Sequence, residues 1–75
     1  MTIGERIRKY RKEREWTQAD LAFEADVLSV YISYYETGRT LPSIINLIAI
    51  ADALEVSLDD LVGRKVKNEN QDKLF

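Results

Sequence analysis

The apolar residues of this chain recur three and four positions apart in short segments, each opened by a capping signal, and nowhere alternate as a half-buried strand requires. Helices are therefore the only regular structure the pattern supports. Ile3, Ile7, Tyr10 and Arg11 define an amphipathic helix from Ile3 to Glu15 whose outer face is basic. Thr17 offers a hydroxyl N-cap to a second helix, with the Asp20 carboxylate near its positive end and Leu21, Ala22 and Ala25 turned inward. Asp26, Val27 and Leu28 interrupt the periodicity, after which Ser29 caps a third helix that runs to Thr37 and stops at Gly38. Arg39 to Pro42 is a loop. Ser43 caps the most apolar helix of the chain, with Ile44, Leu47, Ile50, Ala51 and Leu54 at helical spacing. Ser57 with Asp60 has the form of a capping box for a last short helix, Leu58 to Val62, closed by Gly63. From Arg64 to Phe75 the sequence is polar, and a flexible tail is expected.

Five short helices in 75 residues imply an all-α bundle with a single local core, because a chain this small buries only about 60% of its unfolded surface. With no Cys and no His there is no disulfide framework, no zinc site of the usual ligands, no thiol nucleophile and no imidazole base. The hydroxyls of Thr17, Tyr34 and Ser57 have no activating partner or phosphate-cradling glycine loop, and Asp59 and Asp60, about 100° apart on a helix, cannot face one substrate. A non-enzyme is expected, with no cofactor, no metal and no evident small-molecule ligand. The longest apolar stretch, Ile44 to Ile50, is broken by Asn46 and falls far short of the roughly 20 residues that span a bilayer. Residues 1 to 5 lack the features of a secretory signal, so the expected compartment is the cytoplasm.

The net charge of −2 conceals a division along the chain. Residues 1–16 carry a net +3, residues 17–63 a net −7 with Arg39 as their one basic side chain, and residues 64–75 a net +2. A chain so arranged binds nucleic acid only through a few well-placed basic groups and backbone amides, with modest non-specific affinity. On a helix over residues 28–37, Leu28, Ile32 and Tyr35 point one way, while Ser29, Val30, Ser33, Tyr34 and Thr37 point the other. That second face is uncharged, with small hydroxyls, a β-branched residue and an aromatic, which suits close approach to base edges and thymine methyls in a groove about 12 Å wide. It also lacks any Arg, Lys, Gln or Asn for a two-pronged base contact, so part of the specificity would come from DNA shape.

Thr17-Gln18-Ala19-Asp20-Leu21-Ala22, then Tyr31-Ile32-Ser33, Glu36 and Gly38, then Leu41-Pro42-Ser43 with Ala51, Leu54, Val56, Ser57 and Leu58, resemble the phage-repressor and Cro type of helix-turn-helix regulator, the Xre family. The resemblance covers residues 2–63, with the helix-turn-helix proper at about 17–37, and implies a five-helix lambda-repressor-like domain acting as a homodimer on a partly palindromic double-stranded DNA operator. It implies base-reading roles for Ser29, Val30, Ser33 and Tyr34, a phosphate contact for Gln18, and a partly buried salt bridge between Arg11 and Glu36. Arg39, Thr40 and Ser43 are expected to flank the same groove, and Thr37 to belong to the DNA-binding face of the helix. Trp16 stands where the family keeps a large core residue, Asp26 where it usually has glycine and Leu28 where a hydroxyl cap is usual. Arg6, Arg8, Lys9, Arg11, Lys12 and Arg14 read as a solvated face laced by Glu5 with Lys9 and Arg11 with Glu15. Ile45, Ile48, Leu58 and Val62 exceed the needs of one small core and are candidate subunit contacts, as are Leu74 and Phe75. A protein-interaction module on the same fold, such as an antitoxin or regulator-binding domain, is the alternative, favoured by the acidic middle and the uncharged face.

Overall fold

The structure, a computed structural model, describes residues 1–64 and folds them into α1 (Ile3–Glu13), α2 (Gln18–Ala25), α3 (Ser29–Glu36), α4 (Ile44–Leu54) and α5 (Leu58–Val62). The expected tail, including Leu74 and Phe75, lies past Arg64 and outside the described residues. No helix is long and apolar enough to cross a membrane among the described residues.

Four helices start on a hydroxyl. Thr17 accepts the Asp20 N–H at 3.0 Å while the Asp20 carboxylate accepts the Thr17 N–H at 2.8 Å, and Ser43 and Ser57 accept the N–H groups of Asn46 and Asp60. Such caps each contribute about 1 kcal/mol by satisfying donors the helix cannot. The sequence reading overlooked a second reciprocal box, in which Thr2 and Glu5 cap α1. The hydrogen bonds from Thr2 hold the Glu5 carboxyl below the ordinary glutamate range, so this contribution is present at neutral pH and is lost as acid protonates Glu5. The third helix departs from expectation: Leu28, not Ser29, occupies its N-cap in an extended conformation, without a side-chain cap. Because Leu28 lies outside the helix, the helical projection does not apply to it, and it is 64% exposed rather than inward.

All five helices end in the same way. Glu15, Asp26, Gly38, Glu55 and Gly63 adopt left-handed φ between 56° and 80°. The next N–H then reaches back five residues, from Trp16 to Arg11, Val27 to Ala22, Arg39 to Tyr34, Val56 to Ala51 and Arg64 to Asp59. Helix α1 therefore finishes at Glu13, two residues before the periodicity alone indicated, because Glu15 is needed for the reversal. Asp26 stands where glycine was expected from the family resemblance, in a left-handed conformation that Asp tolerates better than most residues larger than glycine.

Each helix sends one fully buried side chain to the centre: Ile7, Leu21, Ile32, Ile50 and Leu61. Ala22, Ala25, Tyr35, Leu47, Ala51 and Leu54 surround them, and Ile3, Tyr10, Trp16 and Val62 pack half-buried at the margin. Ile44, expected inward, is 61% exposed, since it sits about 70° from the middle of the stripe made by Leu47, Ile50, Ala51 and Leu54. Helix α3 rests on α1 and α2, and α4 on α2, α5 and α1.

The approach of α1 to α3 is close enough that a β-carbon at Gly4 would overlap the Tyr35 carbonyl oxygen. Gly4→Ala must push α3 away from α1, and we expect it to destabilise the fold by about 1–3 kcal/mol. A denaturant midpoint equal to that of the unsubstituted chain would contradict this packing.

Candidate nucleic-acid interface

Residues 27–35 contain no charged side chain, and the charged residues bracketing them differ in fate: Asp26 is exposed, whereas the Glu36 side chain is 3% exposed. The Arg11 guanidinium meets the Glu36 carboxylate through two bonds, Nε to Oε2 at 2.7 Å and Nη2 to Oε1 at 2.9 Å, while Nη1 donates to the Trp16 carbonyl at 2.7 Å. Glu36 raises the Arg11 pKa above its ordinary value, against the effect of burial, so this guanidinium stays charged. The expected salt bridge is thus present and ties α1 to the end of α3. Its formation excludes the Arg11–Glu15 pairing proposed for a solvated face, and Glu5 serves its capping box rather than Lys9.

The basic run is correspondingly less free than its sequence implied. Arg11 is buried, Arg6 donates to the Met1 carbonyl, and Arg14 binds the Leu54 carbonyl and Glu55 with its guanidinium 4.6 Å from the centre of the Trp16 ring. Arg8, Lys9 and Lys12 remain exposed.

On α3, Ser29 and Val30 are exposed and Ser33 and Tyr34 half-buried, so all four anticipated base-reading residues are accessible. Thr37, Arg39, Thr40 and Ser43 are exposed as well. Two of these hydroxyls have structural duties. Thr37 donates back to the Ser33 and Tyr34 carbonyls at 2.9 and 3.3 Å, leaving only its lone pairs outward, and Ser43 caps α4. Gln18, at the first position of α2, is half-buried with its Nε2 donating to Glu36 Oε1 at 3.2 Å. One amide hydrogen remains available to a ligand.

The arrangement also supplies what the α3 sequence lacked. The loop after α3 returns over the helix and places the Arg39 guanidinium 4.6 Å from the centre of the Tyr34 ring. Tyr31, part of the family motif but assigned no role from the sequence, packs edge-on against Tyr34 with centroids 6.3 Å apart and stacks on Tyr35 at 6.4 Å. Its spacing from Tyr34 and Tyr35, three and four residues, was the signal that could have found it.

Among the candidate subunit contacts, Ile45, Ile48 and Leu58 are exposed at 75%, 45% and 36%, whereas Val62 is half-buried against the core. Leu41 and Ile44 are exposed as well, at 73% and 61%.

The sequence profile of the helix-turn-helix family matches residues 7–61, which span α2, α3 and the loop that follows. The chain belongs to the helix-turn-helix family. It is 44% identical over its full length to the cryptic phage CTXphi transcriptional repressor RstR of Vibrio cholerae, covering 67% of that protein. Its structure is similar to that of the P22 c2 repressor in complex with synthetic operator 9T, with a TM-score of 0.81 and 38% identity over 87% of this chain and 98% of the other. It is also similar to the SinR protein/SinI protein complex, with a TM-score of 0.80 and 32% identity over 97% of this chain and 75% of the other. The chain spans between 32% and 67% of the length of the curated relatives it matches.

In this helix-turn-helix chain Glu36 holds α3 to α1 and α2 at once. Removing one partner of a buried pair costs about 3–5 kcal/mol because the other charge is left uncompensated, so Glu36→Ala should lower unfolding stability by that amount. An unchanged thermal melt would argue against the pairing.

Proposed function

We propose that this chain is the DNA-reading part of a dimeric transcriptional regulator that lays α3 in the major groove of a partly palindromic operator. The observation that carries this reading is the accessible, uncharged α3 face, Ser29, Val30, Ser33 and Tyr34, with Gln18 joined to the end of α3 through Glu36 and Arg39 lying over Tyr34, and with Thr40 and Ser43 exposed in the loop that follows. Membership of the helix-turn-helix family, and likeness to a repressor bound to an operator, support DNA-binding transcriptional regulation. The two groups of residues divide the work: α3 side chains approach base edges and thymine methyls, while Gln18, Thr40 and Ser43 hold phosphates and the Arg39 charge lies over the α3 face. Thr37 assists by fixing the end of α3. Such a protein works where the operator is, which places it in the cytoplasm, and nothing in this role requires catalysis or a cofactor.

Dimerisation would set two α3 helices about 34–36 Å apart, one turn of the duplex. Ile45, Ile48 and Leu58 are exposed apolar side chains, as are Ile44 and Leu41, and with the half-buried Val62 they are the residues we assign to the subunit contact.

A second reading has its own support. The likeness to the SinR protein/SinI protein complex, with the acidic middle segment, favours a protein partner on the same fold. Salt separates the two, since operator affinity should fall log-linearly with a slope of about −0.9 per phosphate neutralised, whereas an apolar protein contact should not.

Selection of bound sequences from a random duplex pool should return a two-fold motif, and its absence would defeat the reading. Tyr34→Ala should weaken operator binding about tenfold or more with little effect on random duplex, because a base contact is worth about 1–3 kcal/mol of discrimination. Equal losses on both would remove Tyr34 from the base-reading set. Ile45→Glu should shift the chain toward monomer in sedimentation and weaken operator binding together, while an unaltered sedimentation profile would move the subunit contact elsewhere.

A further inference from the structure

The α3 face has no side chain able to make a two-pronged base contact, and Arg39 is the single basic residue between positions 17 and 63. Its placement is heavily determined. Gly38 turns the chain with φ +77°, and the Arg39 and Thr40 N–H groups converge on the Tyr34 carbonyl at 2.9 and 3.4 Å, where the Thr37 hydroxyl also donates. The Arg39 side chain then lies across the Tyr34 ring, so backbone and side chain are both anchored on the same residue. Tyr34 is braced in turn by Tyr31, edge-on, and Tyr31 by Tyr35, nearly parallel at 16°. Tyr35 is 5% exposed, and its hydroxyl oxygen accepts from Asn46 Nδ2 at 2.9 Å on α4. An aromatic ladder thus runs from the core to a guanidinium on the recognition face.

From this geometry we propose that Arg39 reads a guanine in each half-site, oriented by Tyr34 and by Tyr31 as a positioning residue, rather than acting only as a phosphate clamp. The proposal rests on the operator-binding reading above and assigns one of its specificity contacts. A guanidinium lying on an aromatic face keeps its planar edge of N–H donors free and gives up little further freedom when it binds. Guanine offers the matching pair of acceptors, O6 and N7, in the major groove, a geometry that a lysine ammonium cannot satisfy in the same way. The ring also keeps the charge over α3, whereas a phosphate clamp needs a side chain free to swing outward to the backbone.

The test is duplex selection repeated with the unsubstituted chain, Arg39→Lys, Tyr31→Leu and Tyr31→Phe, with a melt of each to confirm folding. The unsubstituted chain should select guanine at one position of each half-site. Arg39→Lys should lose that preference about tenfold or more while keeping the salt slope and the affinity for random duplex. Tyr31→Leu should lose it several-fold at the same position, and Tyr31→Phe, which keeps the ring, should restore it. If the unsubstituted chain returns no motif, operator reading itself fails, and this assignment with it. If it returns a motif that Arg39→Lys leaves unchanged, a point charge suffices and only the guanine assignment is overturned. A guanine preference lost with Arg39→Lys but intact in folded Tyr31→Leu would remove Tyr31 from the positioning role.

Discussion

The Arg11–Glu36 bridge is the interaction on which the remainder of this small structure turns. Helix α3 has eight residues, two buried side chains and no side-chain N-cap, which is too little to hold a helix by itself. Glu36 anchors its last turn by accepting from Arg11 on α1 and Gln18 on α2, and Arg11 spends its remaining nitrogen on the Trp16 carbonyl between them. No buried side-chain polar atom lacks a partner among the described residues, so the charges are compensated as well as paired. Apolar substitutes for a buried pair often hold helices together as tightly, yet a forked pair has one geometry and so sets the rotation of α3, which decides which side chains face outward. The Gly4 contact, which brings the α1 backbone against the Tyr35 carbonyl, constrains the same rotation from the other side.

Chain reversal in this fold relies on one device used five times, and its legibility depended on residue type. Gly38 and Gly63 announced it, because glycine is the residue that reaches left-handed φ without penalty, and Asp26 was readable as a tolerable stand-in. Glu15 and Glu55 gave no such signal. A glutamate carries no intrinsic preference for that region, and it is held there by the backbone hydrogen bond that follows and by packing of Trp16 and Val56 against the core. The N-terminal ends were more transparent, since Thr17, Ser43 and Ser57 act through local hydrogen bonds that a sequence displays directly.

The same distinction governs the interface. Spacing on one helix was sufficient to place Ser29, Val30, Ser33 and Tyr34 together, and both Arg11 and Glu36 were recognisable from the resemblance to a family. Leu28 and Ile44 were misplaced because a helical projection treats residues at and just beyond a helix start as if the helix were infinite and evenly covered. Arg39 over Tyr34, and Gln18 on Glu36, lie beyond any periodicity argument, since each joins residues through a turn or across two helices. What a sequence withholds is therefore the return of the chain onto itself, and in this protein that return carries a cation onto the α3 face.

Placement of that cation resolves the tension between an acidic middle segment and DNA binding. Several of the carboxylates are committed locally: Asp20 to a cap, Glu36 to a buried bridge, Glu55 to Arg14 and Asp59 loosely to Arg64 at 4.0 Å. They still repel phosphates within a Debye length of about 8 Å, so a weak grip on arbitrary duplex follows. Weak general attraction is an advantage for a regulator that must find one site among a great many, because the useful quantity is the ratio of specific to non-specific affinity. A face that is uncharged except for one oriented guanidinium contributes little to the denominator of that ratio and concentrates its contacts in the numerator.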